Sequence, residues 1–141
     1  MNPYHPAPMS ETHSLPHLVD PGKMAEQTAQ LVLRTPLAAF KRLREVTLSD
    51  DGDVSVQIRF HRDARGVPNL RGSVSATVEQ TCQRCLSAVS VPVQADVNVF
   101  LLNDEAYADR LSEDDDYVVF GDDRLDLPEL LEDELIMALP L

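Results

Sequence analysis

Tryptophan is absent from this 141-residue chain, aromatics make up only 5% of it, and it holds two cysteines, five glycines and four histidines. Each scarcity narrows the reading. With 43% hydrophobic residues but few rings, the core has to be aliphatic, built from Val, Leu, Ile and Ala. Two cysteines three positions apart, Cys82 and Cys85, are too few and too close for the disulfide framework of a small secreted domain, and they point to a reduced compartment. Five glycines form no Gly-rich phosphate loop, and no Ser/His/Asp order or paired-His metal signature is present. No apolar run reaches the roughly 18 residues of a membrane span. The first residues, MNPYHPAPMSETH, lack the basic flank and apolar stretch of a signal peptide, so a cytoplasmic protein with no membrane partner is expected.

What the chain has in excess is acid, and that excess lies at one end. Residues 1–101 carry 10 acidic and 10 basic side chains, whereas residues 102–141 carry 14 acidic and 2 basic, the whole of the net charge of −12. Such a segment repels phosphate and attracts basic partners, although a solvated face that serves solubility has the same composition.

The length suits one domain. Residues 1–14, with three prolines and no periodicity, read as a disordered N-terminal arm ahead of a single domain over 15–141. Asp20-Pro21 has the chemistry of an N-cap followed by proline in the first turn, and Met24, Ala25, Ala29, Leu31 and Val32 recur at helical spacing, which predicts a helix over 21–33. Leu37, Phe40, Leu43 and Val46 form an apolar stripe that suits a short helix or a strand. Beyond the Asp50–Asp53 turn, Val54, Val56, Ile58 and Phe60 alternate with polar residues. Leu70, Val74, Ala76 and Val78 do so after the Arg65–Pro68 turn, and Val89 to Leu101 carries the longest alternation. Pro92 cannot donate to a ladder and suggests an edge there. The acidic stretch at about 102–116 reads as a mobile loop, and Tyr117–Phe120 as a short strand. Asp126-Leu127-Pro128-Glu129 opens an amphipathic helix with Leu127, Leu130, Leu131, Leu135 and Ala138 inward. The fold class is α+β: an antiparallel sheet with one wet face, its closure into a barrel-like form left open, between an N-terminal helical segment and the C-terminal helix.

Cys82-Gln83-Arg84-Cys85 falls between two predicted strands, at a hairpin tip. A redox pair draws thiolate character from a helix N-terminus, and here a strand follows instead. The spacing suits a zinc knuckle, with Cys82 and Cys85 as two of four ligands, or two thiols that only fill a turn. The ligand set is incomplete, since His5, His13, His17 and His61 are not paired at ligand spacing. Arg84 at the tip presents a planar fork suited to phosphate or carboxylate. Glu132, Asp133 and Glu134 are adjacent, but neighbours on a helix point apart, and no catalytic function is expected of them.

Three segments, Leu15-Pro16 with Val19-Asp20-Pro21, Cys82-Gln83-Arg84-Cys85-Leu86, and Glu132-Asp133-Glu134-Leu135-Ile136-Met137-Ala138-Leu139-Pro140, occur in an order and spacing that resemble the YceD family, the large ribosomal RNA subunit accumulation proteins. The resemblance covers residues 15–141. It implies a non-enzymatic ribosome-biogenesis factor that supports accumulation of large-subunit ribosomal RNA. Many relatives continue past the Ala-Leu-Pro segment into a tail containing His and Cys, so a zinc site drawing on that tail would be incomplete in this chain. Two modes of action are expected from the residues. In one, Arg84 with Lys41, Arg42 and Arg44 binds pre-ribosomal RNA or an immature large subunit. In the other, the acidic C-terminal part escorts a basic large-subunit ribosomal protein.

Overall fold

The computed structural model describes residues 15–140, so the expected N-terminal arm lies outside the described residues. A short strand β1 (Leu18–Val19) leads into α1 (Pro21–Glu26), whose start is fixed as its sequence predicts: the Lys23 N–H donates to the Asp20 carboxylate at 3.2 Å, and Pro21 occupies the first turn. The helix does not run to residue 33. Thr28 adopts a left-handed φ of +49°, and the chain turns into β2 (Gln30–Pro36). Leu31 and Val32, read above as helical, belong to a strand-favouring run that gains seven paired positions against β3 (Asp53–Arg62), and those pairs outweigh the local helical spacing.

Between them lie a 3₁₀ turn (Leu37–Ala39) and the five-residue α2 (Lys41–Glu45), so the helical alternative holds there. Leu37, Phe40 and Leu43 are buried, while Val46 at the end of the stripe is exposed. β3, β4 (Pro68–Thr81) and β5 (Ala88–Leu102) form the antiparallel centre, and their alternation is read out as burial: Val54, Val56, Ile58 and Phe60, then Leu70, Val74, Ala76 and Val78, then Val93 to Leu101 in steps of two. Val89 belongs to the same phase but lies exposed, because the β4–β5 hairpin projects past the part of the sheet that the core covers.

β6 (Tyr117–Val119) joins β5 in parallel, and the order β2-β3-β4-β5-β6 stays open at both ends, so the sheet is not a barrel. Pro92 does sit on an edge: β5 pairs there with Thr77 of β4, and β6 reaches only Phe100–Leu102 on the other side. Within the acidic stretch, Glu105–Arg110 forms a 3₁₀ helix. β7 (Leu125–Asp126) pairs with β1, and α3 (Leu127–Ala138) follows, with the Glu129 N–H donating to Asp126 Oδ1 at 3.0 Å. Leu127, Leu130, Leu131 and Leu135 bury their side chains in the core, each contributing about 2 kcal/mol. Ala138 is exposed rather than inward, since the last turn of α3 runs past the core. The inward side includes an unexpected member, Glu132, only 7% exposed.

Candidate nucleic-acid interface

The Cys82–Cys85 segment is a tight hairpin turn. Cys82 N–H donates to the Ser87 carbonyl at 2.8 Å, and Leu86 N–H donates back to the Cys82 carbonyl at 2.9 Å. Closing so short a loop forces Leu86 to φ +60° with its side chain 76% exposed. Both thiols are free; Cys85 is exposed and its Sγ lies 2.9 Å from the Ser87 hydroxyl. That hydroxyl, the Ser87 N–H and the Cys82 thiol hold the Cys85 thiol below its ordinary value, at about 7. Among the described residues no cluster of three His, Cys, Asp or Glu is placed to hold a metal ion. His61 pairs with Asn69 thirteen positions before Cys82, about 40 Å away along the strand, and His17 contacts Asp126 at 3.3 Å. Arg84 extends from the tip into solvent.

The basic stretch on α2 is mostly engaged within the protein. Phe40 at the N-cap position has no capping side chain, and the carboxylate of Glu132, on α3, supplies that function instead: its Oε2 accepts from the N–H groups of Arg42 at 2.7 Å and Leu43 at 2.9 Å. The Arg42 guanidinium closes the contact, donating to Glu132 Oε1 at 3.2 Å and reaching Asp133 Oδ1 at 2.7 Å. The Asp133 hydrogen bond is the main reason its pKa is raised. Arg44 pairs with Asp50 at 3.3 Å, and Lys41 is exposed. The segment after α2 runs beside the hairpin, where Leu48 N–H donates to the Glu79 carbonyl at 2.8 Å, so the two predicted basic regions share one end of the molecule.

A third set of cations lies on the solvent face of the sheet. The register places Gln30, Arg59, Arg71 and Asn98 in one row across β2 to β5, Val32, Gln57, Ser73 and Asp96 in the next, and Arg34, Ser55, Ser75 and Gln94 in a third. Arg59 and Arg71 stand directly opposite each other, an arrangement that costs free energy unless something anionic lies between or above them. The carboxylate pairs of the described arginines fall on Arg42, Arg44 and Arg65, and among the described residues none lies within 4.0 Å of Arg34, Arg59 or Arg71. Asp96 is the one acid in the three rows.

The neighbouring His61 registers the local field: burial lowers its pKa first, then Arg59 and Arg71, against a smaller opposing effect of Asp63. Its Nδ1 is buried without a hydrogen-bond partner among the described residues. At one end the face is bordered by the loop of residues 103–116, where Arg65 stacks over the Phe100 ring at 5.3 Å and lies 3.9 Å from Asp115. No aromatic occurs in the three rows, which suit phosphate and hydroxyl contacts; the next row on the same face holds His61 and Phe100, the latter covered by Arg65.

The sequence already puts Arg59 and Arg71 on the polar side of their strands. What it hides is their direct juxtaposition and the place of Arg34, which sits in the segment read as leading out of a helix.

Comparison with known proteins gives one consistent result. Residues 70–141 match the family model of the large ribosomal RNA subunit accumulation protein YceD. The chain is 30% identical over 128 residues to the large ribosomal RNA subunit accumulation protein YceD of Haemophilus influenzae, an alignment covering 90% of this chain and 74% of that protein. No solved structure matches it.

Proposed function

Because the chain belongs to the YceD family of large ribosomal RNA subunit accumulation proteins, we propose that it acts in the accumulation of large-subunit ribosomal RNA by holding RNA against the Arg34–Arg59–Arg71 face of its sheet. The observation that carries this reading is the Arg59–Arg71 cross-strand pair, two like charges face to face with no carboxylate within 4.0 Å of either among the described residues. A phosphate between two guanidinium forks removes that cost and accepts charge-assisted hydrogen bonds from both. The binding is weakly selective for base sequence, because the three rows around the arginines offer forks, amides and hydroxyls and no aromatic ring. Arg84, exposed at the hairpin tip, is a further cation within reach of a long RNA.

The role is that of a cytoplasmic binding protein and not of an enzyme. The carboxylate of the acidic helix run that reaches the interior, Glu132, is committed to the N–H groups of α2.

The test is fluorescence anisotropy with fragments of large-subunit ribosomal RNA across a salt series. Each arginine that neutralises a phosphate contributes about 0.7–0.9 to the slope of log affinity against log salt, so R59S/R71S is expected to weaken binding and flatten the slope by about 1.5. The same affinity and slope in the variant would remove the face from the function.

A further inference from the structure

The opposite edge of the sheet has the reverse chemistry. β6 pairs with β5 on one side only, through Phe100↔Tyr117, Leu101↔Val118 and Leu102↔Val119. The Asp116 carbonyl accepts from Phe100 N–H and the Phe120 N–H donates to the Leu102 carbonyl, each at 2.8 Å, so the even-numbered residues turn their backbone toward β5. The N–H and C=O groups of Tyr117 and Val119 therefore point outward, and among the described residues they have no backbone partner.

Beside this open edge, between β6 and α3, lies a groove of about 880 Å³. Its walls combine carboxylates, Asp116, Asp133 and Glu134, with exposed apolar side chains, Val119 at 44% and Met137 at 72%. Arg124 is the one basic residue along it. The carboxylates crowd one another: burial, then Asp116 and Asp133, raise the pKa of Glu134.

We propose that this edge is the docking site for an extended Lys/Arg-rich segment of a partner protein, which adds to β6 as a further strand. Backbone pairing to Tyr117 and Val119 supplies the register. Side chains of the incoming strand on the α3 side then meet Asp116, Glu134 and Met137, and the alternate ones rest on Tyr117 and Val119. Charge selects this occupant over the others. RNA is repelled by the carboxylates, and a second copy of this chain would bring its own Asp116, Asp133 and Glu134 against them. Residues 1–14 carry no Lys or Arg to meet the carboxylates, and three prolines among their first eight residues cannot donate to a ladder. The docking site is independent of the RNA-facing reading, since it uses the β6 edge and not the arginine face, and the opposite charge.

The probe is a fluorescein-labelled decapeptide alternating Lys and Val, compared with one alternating Glu and Val, on the full chain. Expected are saturable binding of the Lys peptide alone and amide shifts at Tyr117 and Val119 in ¹⁵N spectra. V119P deletes an outward N–H that the sheet does not use, and D116N/E134Q removes two crowded charges. Each variant should weaken the Lys peptide by about fivefold or more, with circular dichroism unchanged. In the same preparations R59S/R71S should leave peptide binding intact, which separates this result from failure of RNA binding. Lys-peptide binding that survives both edge variants, shifts confined to other surfaces, or equal binding of the Glu peptide would overturn the proposal. So would a dimer in sedimentation that V119P dissociates, since it would put a second copy on β6.

Discussion

Glu132 shows how a single side chain can be plain in the sequence and obscure in its purpose. Its place in a run of three acids on a helix is legible, and the geometry of a helix rightly separates their directions. That one of them would turn inward and cap another helix 90 positions earlier is not, because neither Arg42 nor Leu43 carries a local mark of the bond. The carboxylate satisfies two N–H groups of α2 and one guanidinium N–H at once. Truncation by E132A leaves those donors in a mostly buried site, which should lower stability by about 3 kcal/mol in urea unfolding followed by circular dichroism. An unchanged midpoint would mean that water replaces the carboxylate at no cost. Arg59 and Arg71 stand at the other extreme: each is visibly on a polar face, and only the register makes them neighbours.

At the level of elements, the three long strands and α3 were legible because their periodicity and caps agree with their burial. β2 was not, since the apolar residues from Met24 to Val32 satisfy a helical spacing until β3 offers a paired edge. Parallel pairing of β6 was equally hidden, as three residues carry no sign of direction. The β3–β4 turn was expected from Arg65-Gly66-Val67-Pro68, but the residue that organises it precedes that sequence. Asp63 Oδ1 accepts from the N–H groups of Arg65 at 2.9 Å and Val67 at 3.0 Å, while Oδ2 takes the Arg65 side chain. Burial pushes the Asp63 pKa up, yet these bonds prevail and hold it below the ordinary value. A carboxylate lowered in the folded state gives stability that is present above its unfolded-state pKa, about 4, and lost as pH falls through the folded value. D63N is therefore expected to cost about 1 kcal/mol at neutral pH. The gap to the parent should close below about pH 4. A gap that persisted in acid would show that the turn depends on shape rather than on charge.

Over the whole molecule, the uneven charge seen in the sequence becomes a spatial arrangement: an arginine face on β2 to β4, and carboxylates around β6, α3 and the loop that borders the face. On the proposed function, RNA approaching the arginines would do so through the field of a protein whose net charge is −12. That field is screened over about 8 Å at physiological salt, so it acts on the rate of encounter more than on the contacts of the bound state. Asp122 and Asp123 allow a test without disturbing the fold: both are exposed and both hold left-handed backbone, at φ +53° and +55°, which asparagine tolerates at least as well. D122N/D123N removes two negative charges and takes the net from −12 to −10. Stopped-flow association with a large-subunit ribosomal RNA fragment should then run about twofold faster at low ionic strength, the advantage vanishing above about 0.5 M salt while dissociation stays unchanged. A faster dissociation instead would place the two aspartates in the contact itself, and no change at low salt would mean that the acidic part is screened from the path RNA takes to the sheet.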